Sequence, residues 1–386
     1  MTLPDLEQAA PRAPSLNKRP AWRPAGKIRA LEPSDLDSVA ALHAKYLPKT
    51  DRSAEQALRH NLARLLLPEV NLNKTLPSLV YEDDDGRISG CLGVMPRPMS
   101  FQGRSFTAAV SHSFIVESGS RSSMVAVELM RRFLNGQQDL SLAEGGRISR
   151  RLWELGGGCV SLLYGLCWTR PLRPASYLLS LLGRRGLSAR RQRLLRPACR
   201  AVDGLAPLAA KSLRFPAPPV QAASLGGRTL CASLTQFTRG RSLRPRYNEP
   251  LLNWTLATLA AKEGRGEFHR IAIRDQRHSI LGWYLCYVKR GGFATVVQLG
   301  ASEEGADAVI DHLFHFARAH GAIAVSGQTD PALFHVLARK KCFFHHDGGS
   351  YFLLHSRRPE LLQAIQRGDA FLSRLEGEWW ISYLLS

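Results

Sequence analysis

Apolar and polar positions follow two periods along this chain, and the switches between them mark its elements. Lys27–Leu31 alternates as a short strand. Pro33, Ser34 and Asp35 then open a helix whose Leu36, Val39, Ala40 and His43 recur at helical spacing. A second helix is expected over Ser53–Leu67, stopped by Pro68. Ser78–Tyr81 and Ile88–Pro96 read as a hairpin around the turn Asp83–Gly86. Another turn, Phe101–Arg104, leads into a long strand, Ser105–Val116. Helix Ser122–Leu134, strand Leu140–Ala143, helix Arg147–Leu155 and an apolar strand Cys159–Trp168 follow.

The same order then returns. Pro250–Ala261 is helical, and Phe268–Arg274, Ile280–Val288 and Phe293–Leu299 form a meander. Ala306–His320 is a helix, Ala322–Val325 a strand, Pro331–Lys340 a helix and Tyr351–His355 a strand. Recurrence at about two hundred residues implies a duplicated α/β domain, because solenoid repeats run about 20–50 residues. The expected division is a leader at 1–26, a first domain at 27–169, a connector at 170–246 and a second domain at 247–386.

Composition excludes several classes. A chain of 386 residues, 45% hydrophobic and 22% charged, is globular and long enough for two or three cores. No apolar run approaches the length of a spanning helix, and the first residues lack the apolar stretch of a secretory signal. Seven scattered cysteines without a C-x-x-C pair argue against a disulfide framework and a zinc ribbon, and point to a cytoplasmic setting.

Charge changes the picture more. The net charge is +20, yet residues 170–246 hold 16 basic side chains against one acid, Asp203, and the flanking segments are nearly neutral. Within it, Leu194, Ala198, Val202 and Leu205 recur at helical spacing among Arg184, Arg185, Arg190, Arg191, Arg193, Arg196 and Arg200. Three readings are open: contact with an anionic membrane through 170–200, a connector packed between domains, or a nucleic-acid surface. The last lacks aromatic side chains interleaved for base stacking. Phe215–Gly227, rich in Pro and Gly, reads as a linker.

Chemistry enters at the loop Glu117-Ser-Gly-Ser-Arg121-Ser-Ser-Met124-Val-Ala126, between a strand and a helix. Unpaired N–H groups at a helix start attract an anion, and small residues let it approach. The loop and the order of elements resemble the GNAT (GCN5-related N-acetyltransferase) superfamily, in which an Arg/Gln-x-x-Gly-x-Gly/Ala loop holds the pyrophosphate of an acyl-CoA. That resemblance implies two GNAT-like mixed-sheet α/β domains in tandem. It implies an acetyl-CoA or other acyl-CoA site formed by Val116, Arg121, Ser122, Ser123, Met124, Val125 and Ala126. Met124 stands where the family has its first glycine. Arg147–Gly158 resembles the family's later helix and turn, with Trp153 where many members carry a proton-donating tyrosine and Gly146 in place of an asparagine. An indole is too weak an acid for that role.

Two groups near the end of the long strand are the candidate proton acceptors, Glu117 and His112. Each also has an ordinary reading, Glu117 as a charge favouring the helix start and His112 as a core histidine. In the second repeat the equivalent loop carries Glu303, Glu304 and Asp307, which would repel a pyrophosphate. That copy is expected to shape a substrate cleft, with Tyr284 and Tyr287 as lining candidates or core aromatics.

Among His312, His315, His320 and Asp311, His312 and His315 share a helical face but lack a third ligand and the H-E-x-x-H signature, and neither a Walker loop nor G-x-S-x-G is present. The expected activity is direct transfer of an acyl group from CoA to an amine, on a small molecule or a cell-envelope precursor. The alternative is a catalytically inactive GNAT-like binding or assembly module, peripheral to a membrane.

Overall fold

The computed structural model describes residues 26–46, 52–67, 75–119, 122–262, 264–346 and 349–381. The expected leader at 1–26 therefore falls almost wholly outside the described residues. The chain begins β1 (Gly26–Ala30), α1 (Leu36–Ala44), α2 (Arg52–Leu66), β2 (Leu79–Asp83), β3 (Ile88–Phe101) and β4 (Arg104–Val116). It continues α3 (Ser122–Leu134), β5 (Leu140–Gly145), α4 (Arg147–Leu155), β6 (Cys159–Ser161) and β7 (Leu166–Pro171). Next come α5 (Pro174–Arg184), α6 (Ala189–Ala209), β8 (Gln221–Ser224), α7 (Gly227–Phe237), β9 (Leu243–Pro245) and α8 (Glu249–Ala260). A second series closes the chain: β10 (Glu267–Arg274), β11 (Ile280–Val288), β12 (Phe293–Ala301), α9 (Ala306–Ala319) and β13 (Ala324–Gln328). Last are α10 (Phe334–Arg339), β14 (Phe343–His346), β15 (Tyr351–Ser356) and α11 (Pro359–Gln366).

The turn from β3 to β4 forms where Gln102 and Gly103 both take positive φ, 50° and 82°. Glycine adopts that conformation freely, and two such residues match the twist of the flanking strands. β3 is longer than the expected Ile88–Pro96, because Pro96 and Pro98 fall where few ladder bonds need their missing N–H.

The strands form two mixed sheets. One runs β1-β2-β3-β4-β5-β15-β6, with β9 added along β3, and the other β14-β7-β13-β12-β11-β10-β8. They correspond place for place: an edge strand, an antiparallel meander, a parallel neighbour, then two antiparallel strands. The last strand of each repeat is exchanged. β7 sits in the second sheet between β13 and β14, and β15 sits in the first between β5 and β6.

Three expectations change in consequence. The single strand expected over Cys159–Trp168 is two strands in different sheets, parted by a turn at 162–165 where Tyr164 is buried and donates to the Ala370 carbonyl at 2.6 Å. A continuous apolar run cannot show such a break. The linker expected at Phe215–Gly227 contains β8, the edge strand of the second sheet, so that unit starts before 247. Gln221-Ala-Ala-Ser224 is exposed and lacks branched or aromatic side chains, so no strand signal marks it. A division at 169 passes through β7, which belongs to the other sheet.

One core joins the two units. Met95, Met99, Val110 and Leu142 from the first sheet pack with Trp283, Leu285, Tyr287 and Val297 from the second, α8 supplying Leu252, Leu256 and Leu259 and the C-terminal stretch Phe371 and Trp380. Fully burying such a side chain contributes about 1.5–3 kcal/mol. Tyr284 and Tyr287 are core residues: Tyr287 donates to the Leu259 carbonyl at 2.7 Å, and the Tyr284 hydroxyl meets His312 Nδ1 at 2.9 Å.

Candidate active site

Parallel pairing between β4 and β5 lasts three residues, Ala108 opposite Leu140 to Val110 opposite Leu142. β4 then runs on to Val116 and β5 to Gly145 without pairing to each other, so the two strands splay apart. Cys91 in β3 stands opposite Ile115 and Gly93 opposite His112, which leaves an extra residue in β4. This bulge holds Ser113 at φ 50° and re-aims the strand end. β12 and β13 repeat the arrangement: pairing stops at Thr295 opposite Ser326, and a bulge follows between Leu285 and Cys286.

At the mouth of the first splay stands the start of α3. Val125 turns inward against Gly90, whereas Ser123 and Met124 face solvent. The methionine in the glycine position is thus exposed and not packed into the loop, and the Ser122 N–H is held by the Gly119 carbonyl at 3.2 Å. Ser122, Ser123, Met124, Val125 and Ala126 all lie in this turn or the next, while Arg121 is outside the described residues. Val116 ends β4, and its carbonyl accepts from the Tyr46 hydroxyl at 3.4 Å, which itself accepts from the Ser118 N–H at 2.7 Å. The end of α1 thus clamps the approach to the loop.

Glu117 is held by Lys45 at 2.6 Å and by Arg87. The Lys45 ammonium, then the Arg87 guanidinium, keep its carboxyl below the usual range. Two cations around one carboxylate leave this corner with a net positive charge. Glu117 stands out in the sequence as a candidate, whereas Lys45, Tyr46 and Arg87 approach this corner from 30 to 72 residues away and carry no local signal.

His112 lies deeper. Its ring is buried, Nδ1 meets Ser113 Oγ at 2.9 Å, and burial, then the charges of Arg97 and His43, lower its pKa to about 3. Burial likewise brings His43 to about 4. Arg97 is buried with its guanidinium 5.2 Å over the Trp380 ring, and it has no hydrogen-bond partner among the described residues. In the sequence Arg97, between two prolines, looks like a strand end, and His43 is only one position on the apolar face of α1. The C-terminal stretch covers the end of β5: Glu378 accepts from the Glu144 N–H at 2.9 Å, and Glu144 from the Trp379 N–H at 3.2 Å.

Trp153 on α4 is buried and packs on Phe133 with ring centroids 6.1 Å apart, so it offers the gap no proton. The second splay opens into a cleft of about 770 Å³ bounded by Ser302, Glu303, Asp330 and His335. Burial raises the Asp330 pKa while Arg241, 2.8 Å away, pulls it down. Asp307 is paired to Arg339 at 2.6 Å and Lys340 at 3.1 Å. Among the described residues no three His, Cys, Asp or Glu side chains gather as metal ligands. His315 is spent on the Phe215 carbonyl at 2.9 Å.

No protein-family model and no curated protein matches this chain. Solved structures do. A conserved protein from Enterococcus faecalis, described as a probable N-acyltransferase, shares 10% identity over 86% of this chain and 72% of its own, with a TM-score of 0.53. A GCN5-related N-acetyltransferase from Kribbella flavida matches at 12% identity over 86% and 71%, TM-score 0.52. A third, from Anabaena variabilis, matches at 10% identity over 86% and 73%, again with a TM-score of 0.52. Together with the paired splays and the exchanged strands, these likenesses show that the chain has the GCN5-related N-acetyltransferase fold, built twice in tandem.

Proposed function

We propose that the protein is an acyl-CoA-dependent N-acyltransferase whose first unit holds the cofactor. The observation that carries this reading is the gap between β4 and β5 beyond Val110, with the open start of α3 at its mouth. The start of α3 over Ser122–Ala126 and the Arg121 side chain take the pyrophosphate, with the unpaired N–H groups after Ser122 as donors, and Lys45 and Arg87 offset the Glu117 charge beside it. The edge of β4 between Val110 and Val116, unpaired with β5, offers backbone groups to the pantetheine amides. Glu303 and Glu304, just before α9, disfavour the same ligand in the second unit, Asp307 being offset by Arg339 and Lys340, and the cleft there fits acceptor binding instead.

In the reaction, the amine nitrogen attacks the thioester carbonyl, the C–S bond breaks, and the amine's proton ends on the CoA thiol. Glu117 lies at the open end of β4 and is our proton acceptor, passing it through water. His112 is walled in and serves position. A carboxylate held by two cations is a weak base, so orientation supplies most of the rate.

Calorimetric titration with acetyl-CoA and with a long-chain acyl-CoA tests the site. Arg121→Glu should abolish binding. No binding at millimolar ligand by a folded protein would sink the proposal. Trp153, buried where a proton donor would stand, favours a second reading in which acyl-CoA binds without turnover. Thiol release in the presence of an amine panel separates the two.

A further inference from the structure

Between β7 and β8 the chain inserts the α5–α6 hairpin, which has no counterpart in the element order of either unit. We propose that this hairpin is a docking surface for an anionic lipid bilayer. The proposal is independent of the acyl-transfer reading.

Its base is fixed to the second sheet. Tyr177 packs edge-on against Phe293 with centroids 5.9 Å apart, Arg184 lies 5.0 Å over the same ring, and Arg173 donates to the Arg318 carbonyl at 3.1 Å. The two helices are clasped by Asp203 on α6, buried, which accepts from the Ala175 and Ser176 N–H groups at 2.8 and 3.1 Å and from Ser176 Oγ at 2.6 Å. That carboxylate therefore sits on the start of α5, where a helix favours negative charge.

The outward side is the reverse of a soluble surface. Leu194, Val202, Leu205 and Leu208 recur along one face of α6 and are 72%, 56%, 64% and 75% exposed. Leu178 and Leu182, one turn apart on α5, are exposed too. Single exposed leucines need no explanation, but a continuous row on one helix does. Arg190 and Arg191, one turn before Leu194, stand at the end of that row on the same side of α6, with Arg185 at the adjoining tip, and Arg193, Arg196 and Arg200 lie round the other sides of the helix. The only acid from 172 to 214 is Asp203, and it is buried, so every exposed charge on the hairpin is positive.

This combination selects the occupant. A nucleic acid would use the arginines but leave the leucine row wet. Anionic lipid uses both, taking the aliphatic side chains below its headgroups and pairing the guanidinium groups with phosphate. No described helix is long and apolar enough to cross a membrane, so the contact is peripheral.

The full-length protein is tested by co-sedimentation with vesicles of phosphatidylcholine alone and of phosphatidylcholine and phosphatidylglycerol in equal parts. It should pellet with the second at low salt and stay in solution with the first. Neutralising one arginine at the end of the row, as in Arg190→Gln, should lower partitioning about fivefold. The combined variant Leu194→Ser, Val202→Ser, Leu205→Ser keeps every charge and should lower it at least about tenfold. Circular dichroism checks that the fold is retained. A wild-type protein left in the supernatant with anionic vesicles would overturn the proposal, as would a serine variant that binds them equally well. Binding only to DNA or RNA, or a dimer broken by the serine variant without vesicle binding, would also overturn it.

Discussion

Leu354 stands opposite Leu142 in the first sheet, although the two residues come from different repeats of the chain. β15 is hydrogen-bonded on its other side to β6, and β7 makes the reciprocal crossing into the second sheet. Neither sheet is complete without a strand from the other repeat.

Unfolding should therefore be a single step. Trp153 and Trp283 report on different sheets, and their combined fluorescence should lose its native signal at the same urea concentration as far-UV circular dichroism. Two resolved transitions would contradict the shared core. Leu354→Ala, at a wholly buried position, should cost about 2–5 kcal/mol and shift both signals together.

The same interface contains a buried polar network. Glu376 accepts from the Tyr247 hydroxyl at 2.9 Å, from Gln298 Nε2 at 3.0 Å and from Ser373 N and Oγ at 2.7 and 2.6 Å, and Gln298 in turn accepts from the Trp283 indole at 3.0 Å. Burial raises the Glu376 pKa, while Ser373 and Tyr247 pull it back down. Tyr247→Phe removes one donor from a buried acceptor and fills the same space. Its expected cost is about 1–3 kcal/mol in urea denaturation, and an unchanged midpoint would show the bond contributes nothing.

Local pattern carried most of the elements. The helical spacing of Leu36, Val39 and His43, and the Gln102-Gly103 turn, are short-range features and reappear where expected. Strand exchange is different in kind. Nothing near Trp168 or Leu354 records which sheet each will join, because pairing spans about two hundred residues and an apolar strand suits either place. The loop proposed for the pyrophosphate stands out as a candidate because its logic is sequential: strand end, small residues, helix start. Its supporting cations, Lys45 and Arg87, reach it through space.

Those cations make a prediction of their own. Lys45→Ala with Arg87→Ala would leave the Glu117 carboxylate unopposed beside the incoming pyrophosphate. Acyl-CoA affinity should fall about tenfold, roughly 1.4 kcal/mol, and the loss should shrink in high salt. Adding Glu117→Gln to the pair should restore most of the binding. A double variant that binds as tightly as wild type would place the pyrophosphate elsewhere.

His112 should govern part of the acid sensitivity. Its pKa is about 3 in the folded chain against about 6.5 unfolded, because burial disfavours the charged ring. The unfolded state therefore binds the extra proton first, and stability is lost as pH falls from about 6.5 toward 3. Each pH unit in that window costs about 1.4 kcal/mol, or about 2 kcal/mol by pH 5. His112→Leu removes the proton site and no hydrogen bond except that to Ser113. The variant should show a stability deficit at pH 7 that narrows by about 2 kcal/mol at pH 5 in urea denaturation. A difference from wild type that stays constant between those pH values would mean that His112 titrates freely in the fold.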